Sequence, residues 1–456
     1  MLPVLLLSLL SAPRVPPDAT VATYVSSVDA LQPLLPFFRA AGAHSRILRP
    51  ESWAADAHPL LDLNLLDPEA LAQSGIDGRQ GLTRAQLGDA QLACVQVKDP
   101  ARYREACDAR LRRMGEVFER QENGVTVRGS MDPLGRVLVA WAMSGKQSCA
   151  INGRGRSIDA LTGELGRLLT RPGGGGGVAL AAKMPGPLQL IVPSGKAPGA
   201  LTLSARELTL QADARVKNSG GPKLANGGPS PFARLSAPGI GVVRARLPPN
   251  ELSGLTARLA RELPGDWVLT PLAKALTPHL SGSVAAAFSH VRVVAGLRTK
   301  EARFFALKQV WLAEVTDVAA VAAALEKVDP AKLRFSHGTL TLSLHGSTLM
   351  LANDADVAAS VLGALGEAGG TQAHGVELQV DPRAAARAMQ QVPLMEALQT
   401  PELAVFIAAS AELGPLLMAS RRLGGWVDSQ PGALHTARLT WELEPPPTPA
   451  DAGVAP

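Results

Sequence analysis

Hydrophobic and polar positions along the chain fall into one series of elements that occurs twice, offset by roughly 200 to 220 residues. In the first run, Ala19-Thr-Val-Ala-Thr-Tyr-Val25 reads as a strand leading into a helix that begins near Asp29, with Leu31, Leu34, Leu35 and Phe38 at helical spacing. In the second run, Ile240 to Leu247 leads into a helix beginning near Asn250, with Leu252, Leu255, Leu259 and Leu263 on one face. A clearer match follows in Leu92 to Asp99 against Val310 to Asp317, each a strand ending in aspartate. That aspartate is placed to accept from the free N-terminal N–H groups of the next helix, and Pro100 takes the first helical position, where its missing N–H costs nothing. The helices carry Tyr103, Cys107, Leu111 and Met114 in one run and Val318, Val321, Leu325 and Val328 in the other, each set on one face.

A hairpin is predicted next in each run. Thr339 to Leu344 alternates strictly, turns at His345-Gly346-Ser347 and returns as Thr348 to Ala352. Its expected partner is Gly124 to Arg128 and Val137 to Ala142, joined through Asp132-Pro133 and Gly135. Outward Thr and Ser imply one packed sheet face and one facing water. Helices follow behind Ser157 (Ile158, Leu161, Leu165, Leu168) and behind Asp354 (Val357, Val361, Leu365). The first run then closes with Gly177 to Leu180 and Leu201 to Val216, the second with Gly375 to Leu378 and Leu434 to Leu443.

The expected fold class is therefore α+β: two diverged copies of a unit with mainly antiparallel sheet and amphipathic helices. The copies span 13–216 and 232–443. Between them, 217–231 is a Gly/Pro/Ser-rich linker, and 444–456 is a Pro-rich tail expected to be extended. Gly173 to Gly177 reads as a shorter flexible joint.

Composition changes this picture little. At 456 residues the chain is long enough for two sizeable cores, and 46% hydrophobic with only 4% aromatic residues means cores of Leu, Val and Ala. A net charge of +5 raises the question of nucleic acid, but the arginines are scattered among acids. The dense run Arg110, Arg112 and Arg113 lies on the polar side of a helix and reads as a solvated face, and two tyrosines cannot build a stacking groove. Residues 1–12 have the apolar run and small-residue ending of a secretory leader, although no Lys or Arg precedes the run. Export to the periplasm or cell envelope is the natural expectation, with no spanning segment after leader removal. The best later candidate, Leu403 to Met418, is shorter than the roughly 20 apolar residues a span needs and contains Glu412 and Pro415. Three cysteines, Cys94, Cys107 and Cys149, allow one disulfide and one free thiol, and spacing does not choose among the pairings or exclude three buried thiols.

Pro17 to Tyr24 with Asp29, Leu66-Asp-Pro-Glu-Ala-Leu-Ala-Gln-Ser-Gly-Ile-Asp77, and the strand end Val97-Lys-Asp99 together resemble the opening of a large bacterial family of uncharacterised exported proteins, the domain of unknown function numbered 3352. The resemblance covers mainly the first half. It implies export and implies no activity or catalytic residue.

No motif carries chemistry. His44, His58, His279, His290, His337, His345, His374 and His435 show no zinc-site spacing, and a metal between His337 and His345 would need the hairpin to bring them together. No G-x-S-x-G elbow or P-loop occurs. Gly153-Arg-Gly-Arg156 before Ser157 offers an anion a helix N-terminus, but a capped helix after a glycine turn accounts for it. The pairs Asp354 with Asp356 and Asp62 with Asp67 sit where turns and helix starts favour Asp. No catalytic, metal or cofactor residue is assigned, no ligand-binding residue is identified, and no enzyme is expected. The reading that remains is an exported protein binding an apolar ligand such as a lipid within or between the copies. The alternative is a structural or assembly component of the cell envelope acting through protein contacts.

Overall fold

Antiparallel pairing governs both halves of this α+β chain. The computed structural model describes residues 13–445 except 56, 154–156, 171–173, 219, 221–222, 237–238, 255–268, 296–302, 330–333, 336–337 and 392–400. The leader at 1–12, Leu255, Leu259, Leu263, Arg154 to Arg156, His337 and the tail beyond 445 thus lie outside the described residues. The chain divides into two compact units, Met1–Ser219 and Gly220–Pro456.

The first unit contains β1 (Val21–Val25), β2 (Leu82–Leu87), β3 (Ala90–Gln96), β4 (Glu116–Glu122), β5 (Val125–Met131), β6 (Val137–Ser144), β7 (Gln147–Asn152), β8 (Leu188–Val192), β9 (Gly199–Arg206) and β10 (Thr209–Lys217). They form one antiparallel sheet in the order β4-β5-β6-β7-β3-β2-β1-β8-β9-β10. Short helices α1 (Val28–Leu31), α2 (Leu35–Gly42), α3 (Pro50–Ala54) and α4 (Pro68–Gln73) connect β1 to β2; α5 (Pro100–Met114) follows β3; α6 (Ile158–Thr170) and α7 (Gly176–Ala181) follow β7. One sheet face buries Ala85, Cys94, Ala142, Cys149 and Ile151 under Leu161, Leu165 and Leu168 of α6 and Val178 of α7.

The second unit contains β11 (Gly241–Arg246), β12 (Leu280–Ala295), β13 (Arg303–Val315), β14 (Thr341–His345), β15 (Thr348–Ala352), β16 (Val376–Val380), β17 (Ser420–Gln430) and β18 (Leu434–Leu443). Their antiparallel order is β14-β15-β13-β12-β11-β16-β17-β18. Matched strand for strand, this is the order β6-β7-β3-β2-β1-β8-β9-β10 of the first unit. Helices α8 (Leu269–Leu276), α9 (Val318–Leu325), α10 (Ala355–Leu365), α11 (Pro382–Gln390) and α12 (Pro401–Met418) complete it. Val357 and Val361 of α10, with Phe232 and Leu235, cover Val242, Ala285, Val310, Leu312 and Met350, while Leu276 and Val321 pack with Leu349. Among the described residues no helix is long and apolar enough to cross a membrane.

The caps follow the sequence closely. Asp99 accepts from the Ala101 and Arg102 N–H groups at 3.1 Å, Asp317 from Ala320 at 2.9 Å, Asp354 from Val357 at 3.2 Å and Ser157 from Ala160 at 3.3 Å. Asp67 caps α4 through Ala70 at 2.9 Å, and that segment ends at Gly75, whose φ of +74° and approach to the Asp99 carbonyl leave no room for a side chain.

Several pairings differ from the pattern-based reading. The strand matching β15 by position is β7, because both sit beside the aspartate-ended strand; the matching hairpin is β6–β7, turned at Gly145, and β4–β5 is an additional hairpin. Gln147-Ser-Cys-Ala-Ile-Asn152 lacks the alternation that marks a half-exposed strand, since β7 is buried at four consecutive positions. Gly177 to Leu180 lies in helix α7, and the closing place belongs to β8. Leu201 to Val216 is two strands, broken at Glu207 with φ +53°. Within the segment read as a linker, Leu224 donates to Ser429 Oγ at 2.9 Å and Gly228–Ser230 pairs with Gly370–Gln372.

Cys94 and Cys149 stand directly opposite each other on β3 and β7 with Cα atoms 4.0 Å apart, and they form a disulfide. Cys107 is buried on α5 across the sheet, where burial pushes its thiol up to about 12, so it is an inert core residue. The disulfide spans 55 residues, for which the chain-entropy model gives about 4 kcal/mol. Denatured, unreduced protein is expected to take up one equivalent of iodoacetamide, rising to three after reduction. The double substitution C94A/C149A should lower the unfolding free energy of the first unit by roughly 2–4 kcal/mol in urea titrations. Uptake of three equivalents without reductant would remove the bridge from this account.

Candidate functional site

The face of the first sheet opposite the main core is where space remains. Alternation along β1 sends Ala22 and Tyr24 into the core and Thr23 and Val25 to the other side. Register places Thr23 between Arg84 on β2 and Leu190 on β8, and Val25 between Leu82 and Leu188. Phe38 of α2, Trp53 of α3, and Ala57 and Leu65 from the following loop roof these two rows. A cavity of about 220 Å³ lies between floor and roof. Leu82, Val25 and Leu188 at its inner row are buried, whereas Leu190 is 38% exposed and continues into Val21 and Val192, at 39% and 41%.

Short helices such as α2 and α3 do not hold themselves together in water, so their positions depend on contacts. Proline opens α3, and Arg49 Nε donates to the Gly42 carbonyl at 3.1 Å, closing the end of α2. Phe38 meets Trp53 edge to face at 5.5 Å and Phe37 at 5.7 Å. The loop from Ala57 to Leu65 is fixed by His58, which is buried. Its Nδ1 accepts from the Leu60 and Leu61 N–H groups at 3.2 and 3.1 Å, so Nε2 carries the proton and donates to Tyr103 Oη at 3.1 Å. Tyr103 Oη lies 3.0 Å from Ser148 Oγ, which reaches the Ala142 carbonyl at 2.9 Å. This network anchors the cavity roof to α5 and the sheet.

Several of the other residues singled out in the sequence have structural partners. Asp62 pairs with Arg110 at 3.1 Å, and Asp67 caps α4. Burial raises the Asp354 carboxyl, but Lys308 at 2.7 Å and the Val357 N–H outweigh it and hold the group below the ordinary carboxylate range. His345 contacts Ser343, His374 stacks on Trp426 and meets Asp428 at 2.8 Å, and His435 reaches Ser429 at 3.1 Å. Among the described residues no group of three or more His, Cys, Asp or Glu side chains could hold a metal ion. A wider, charged cleft of about 760 Å³ occurs in the second unit, but there Arg383 pairs with Glu444 and Arg421 with Glu442, so the charges are largely self-neutralised.

No protein-family model and no curated protein matches the chain. Among solved structures, crystal form I of TP0453 aligns over 78% of this chain and 97% of its own at 10% identity, with a TM-score of 0.21. A value that low carries no argument about fold or function.

Thr23, Trp53, Arg84 and Leu188 have no mark in the sequence pattern as a site, since β2 and β8 were joined to β1 only by the fold. The arginine within Leu82-Thr-Arg-Ala-Gln-Leu87, at the alternate position to a buried leucine, is the one trace of it.

His58 gives a pH test of the roof. Burial lowers its imidazole from 6.5 to about 3, so the folded state holds it neutral. The stability this contributes is present above pH 6.5 and is lost as pH falls towards 3, at roughly 1.4 kcal/mol per unit. His58→Gln should therefore be less stable than wild type at pH 7, with the gap narrowing between pH 6.5 and 4.5 in urea titrations. A gap independent of pH would contradict a neutral buried His58.

Proposed function

We propose that this chain is an exported, non-enzymatic protein built from two diverged copies of one α+β unit, and that its first copy binds an apolar ligand in the cavity over β1, β2 and β8. The observation that carries the reading is that cavity: ten residues line it, eight of them apolar, with no acid–base pair among them. At about 220 Å³ it exceeds the ~150 Å³ engineered cavity that accommodates benzene. Its rim includes the exposed aliphatic residues Val21, Leu190 and Val192, over which a chain can enter beside Arg84.

Export is supported by the leader-like run at 1–12, by the resemblance of the opening segments to an exported family, and by a disulfide, a bond that persists mainly in oxidising compartments. Duplication is supported by the matching strand order and by the aspartate caps after β3 and β13. The alternative, an envelope assembly component, draws on exposed apolar residues such as Trp311 and Val318 in the second unit.

Protein purified from its natural cell envelope should release an apolar compound on solvent extraction, detected by mass spectrometry in near-stoichiometric amount. Thr23→Phe, which fills the cavity from a strand position suited to aromatics, should cut that yield at least fivefold while leaving the fold intact by circular dichroism. A clean extract from folded wild-type protein would count against the reading and favour the assembly role.

A further inference from the structure

The apolar cavity has a polar imbalance that packing does not account for. Among the described residues, two that line it carry hydrogen-bond donors without matched acceptors. Arg84 is half-buried, and among the described residues its guanidinium reaches the Gln91 side-chain oxygen at 3.4 Å and no carboxylate. Trp53 has a buried indole N–H with no partner among the described residues. Unmatched donors in a partly desolvated site are unfavourable and are relieved by an acceptor, best of all an anionic one.

The second sheet shows what this architecture does with a guanidinium that has a structural role. Arg244 is buried and fully used, donating to the Leu235 carbonyl at 3.2 and 2.9 Å, to Glu377 at 3.1 Å and to Gln379 at 2.9 Å. In the row that matches Leu190–Thr23–Arg84, the second sheet has Leu378–Val243–Ala286. The strand arrangement therefore does not require a cation there.

We propose that the cavity takes a single-chain anionic amphiphile, an alkyl carboxylate, with its head group on Arg84 and its chain over Val25, Leu82 and Leu188. This rests on the apolar-ligand reading above and adds the head group, the orientation and the chain number. Orientation follows from burial: the Leu188–Val25–Leu82 row is closed, while the row holding Arg84 includes exposed Leu190 and forms the mouth. Chain number follows from size, because about 220 Å³ is below the ~300–1,000 Å³ of sites that enclose larger ligands.

The test is calorimetric titration of the whole chain with monomeric dodecanoate and with dodecan-1-ol, using wild type, Arg84→Gln and Arg84→Lys, each first shown to unfold cooperatively. Dodecanoate should bind wild type at least tenfold more tightly than the alcohol. Arg84→Gln should erase that difference and Arg84→Lys should restore most of it. Bromine-labelled undecanoate should quench a fraction of the tryptophan fluorescence that is missing in Trp53→Phe. Equal binding of acid and alcohol by wild type overturns the head-group assignment and leaves the apolar-ligand reading standing. Binding of neither probe overturns both, and binding to phosphatidylglycerol vesicles without binding of monomeric dodecanoate overturns the single-chain occupant.

Discussion

The register of β1 between β2 and β8 is the constraint from which the first unit follows. Side chains alternate across a strand, so a slip of one residue would send Thr23 and Val25 into the core and Ala22 and Tyr24 out of it. Tyr24 opposes such a slip. Its ring occupies the space where a side chain at residue 81 would sit, and Gly81 has none. With that register set, Leu82, Val25 and Leu188 form one row and Arg84, Thr23 and Leu190 the next, and the cavity floor is complete before any helix is placed.

The roof is a weaker kind of structure, and its weakness explains the space beneath it. A long amphipathic helix such as α6 lays a continuous apolar stripe on the sheet and fills it, as Leu161, Leu165 and Leu168 do on the opposite face. The segment between β1 and β2 is instead broken by prolines into short helices, joined by an aromatic cluster and by the loop that His58 holds. Such pieces touch the sheet at points rather than along a line. The His58–Tyr103–Ser148 network supplies the rigidity that helix length does not, and it does so because every polar member is satisfied.

Much of the fold was legible because it depends on neighbours in sequence. Asp99, Asp317, Asp354 and Ser157 cap helices three residues away at most, and helical spacing located the buried faces of α5, α6 and α10. Strand partners were less legible. The interior strand β7 shows no alternation, and the edge strand β4 is exposed or half-exposed throughout, so neither has the half-buried signature that reveals a strand. With β4 and β7 unseen, the expected hairpin of the first run was β5–β6, a pairing the structure contains, but by strand order the hairpin that matches β14–β15 is β6–β7. Of the candidate site, only the arginine within Leu82–Leu87 left a trace. The site's residues come from positions 23 to 190, and what distinguishes Arg84 is that among the described residues no acid pairs with it, which is a property of space and not of spacing.

Comparison of the two sheets separates what the arrangement of strands demands from what each unit does with it. Where the first unit joins β3 to β7 through Cys94 and Cys149, the second places Leu312 opposite Met350 on β13 and β15 and packs them in its core. A covalent link and an apolar contact therefore serve the same seam, so neither is dictated by topology. The arginines diverge in the opposite sense. Arg244 points to the core side and is saturated by the carbonyl, carboxylate and amide around it, while Arg84 projects to the other side among apolar residues with, among the described residues, a single long contact. Burying a cation is costly unless something balances it. Within the second unit the balance is built in; within the first it is left to whatever enters the cavity.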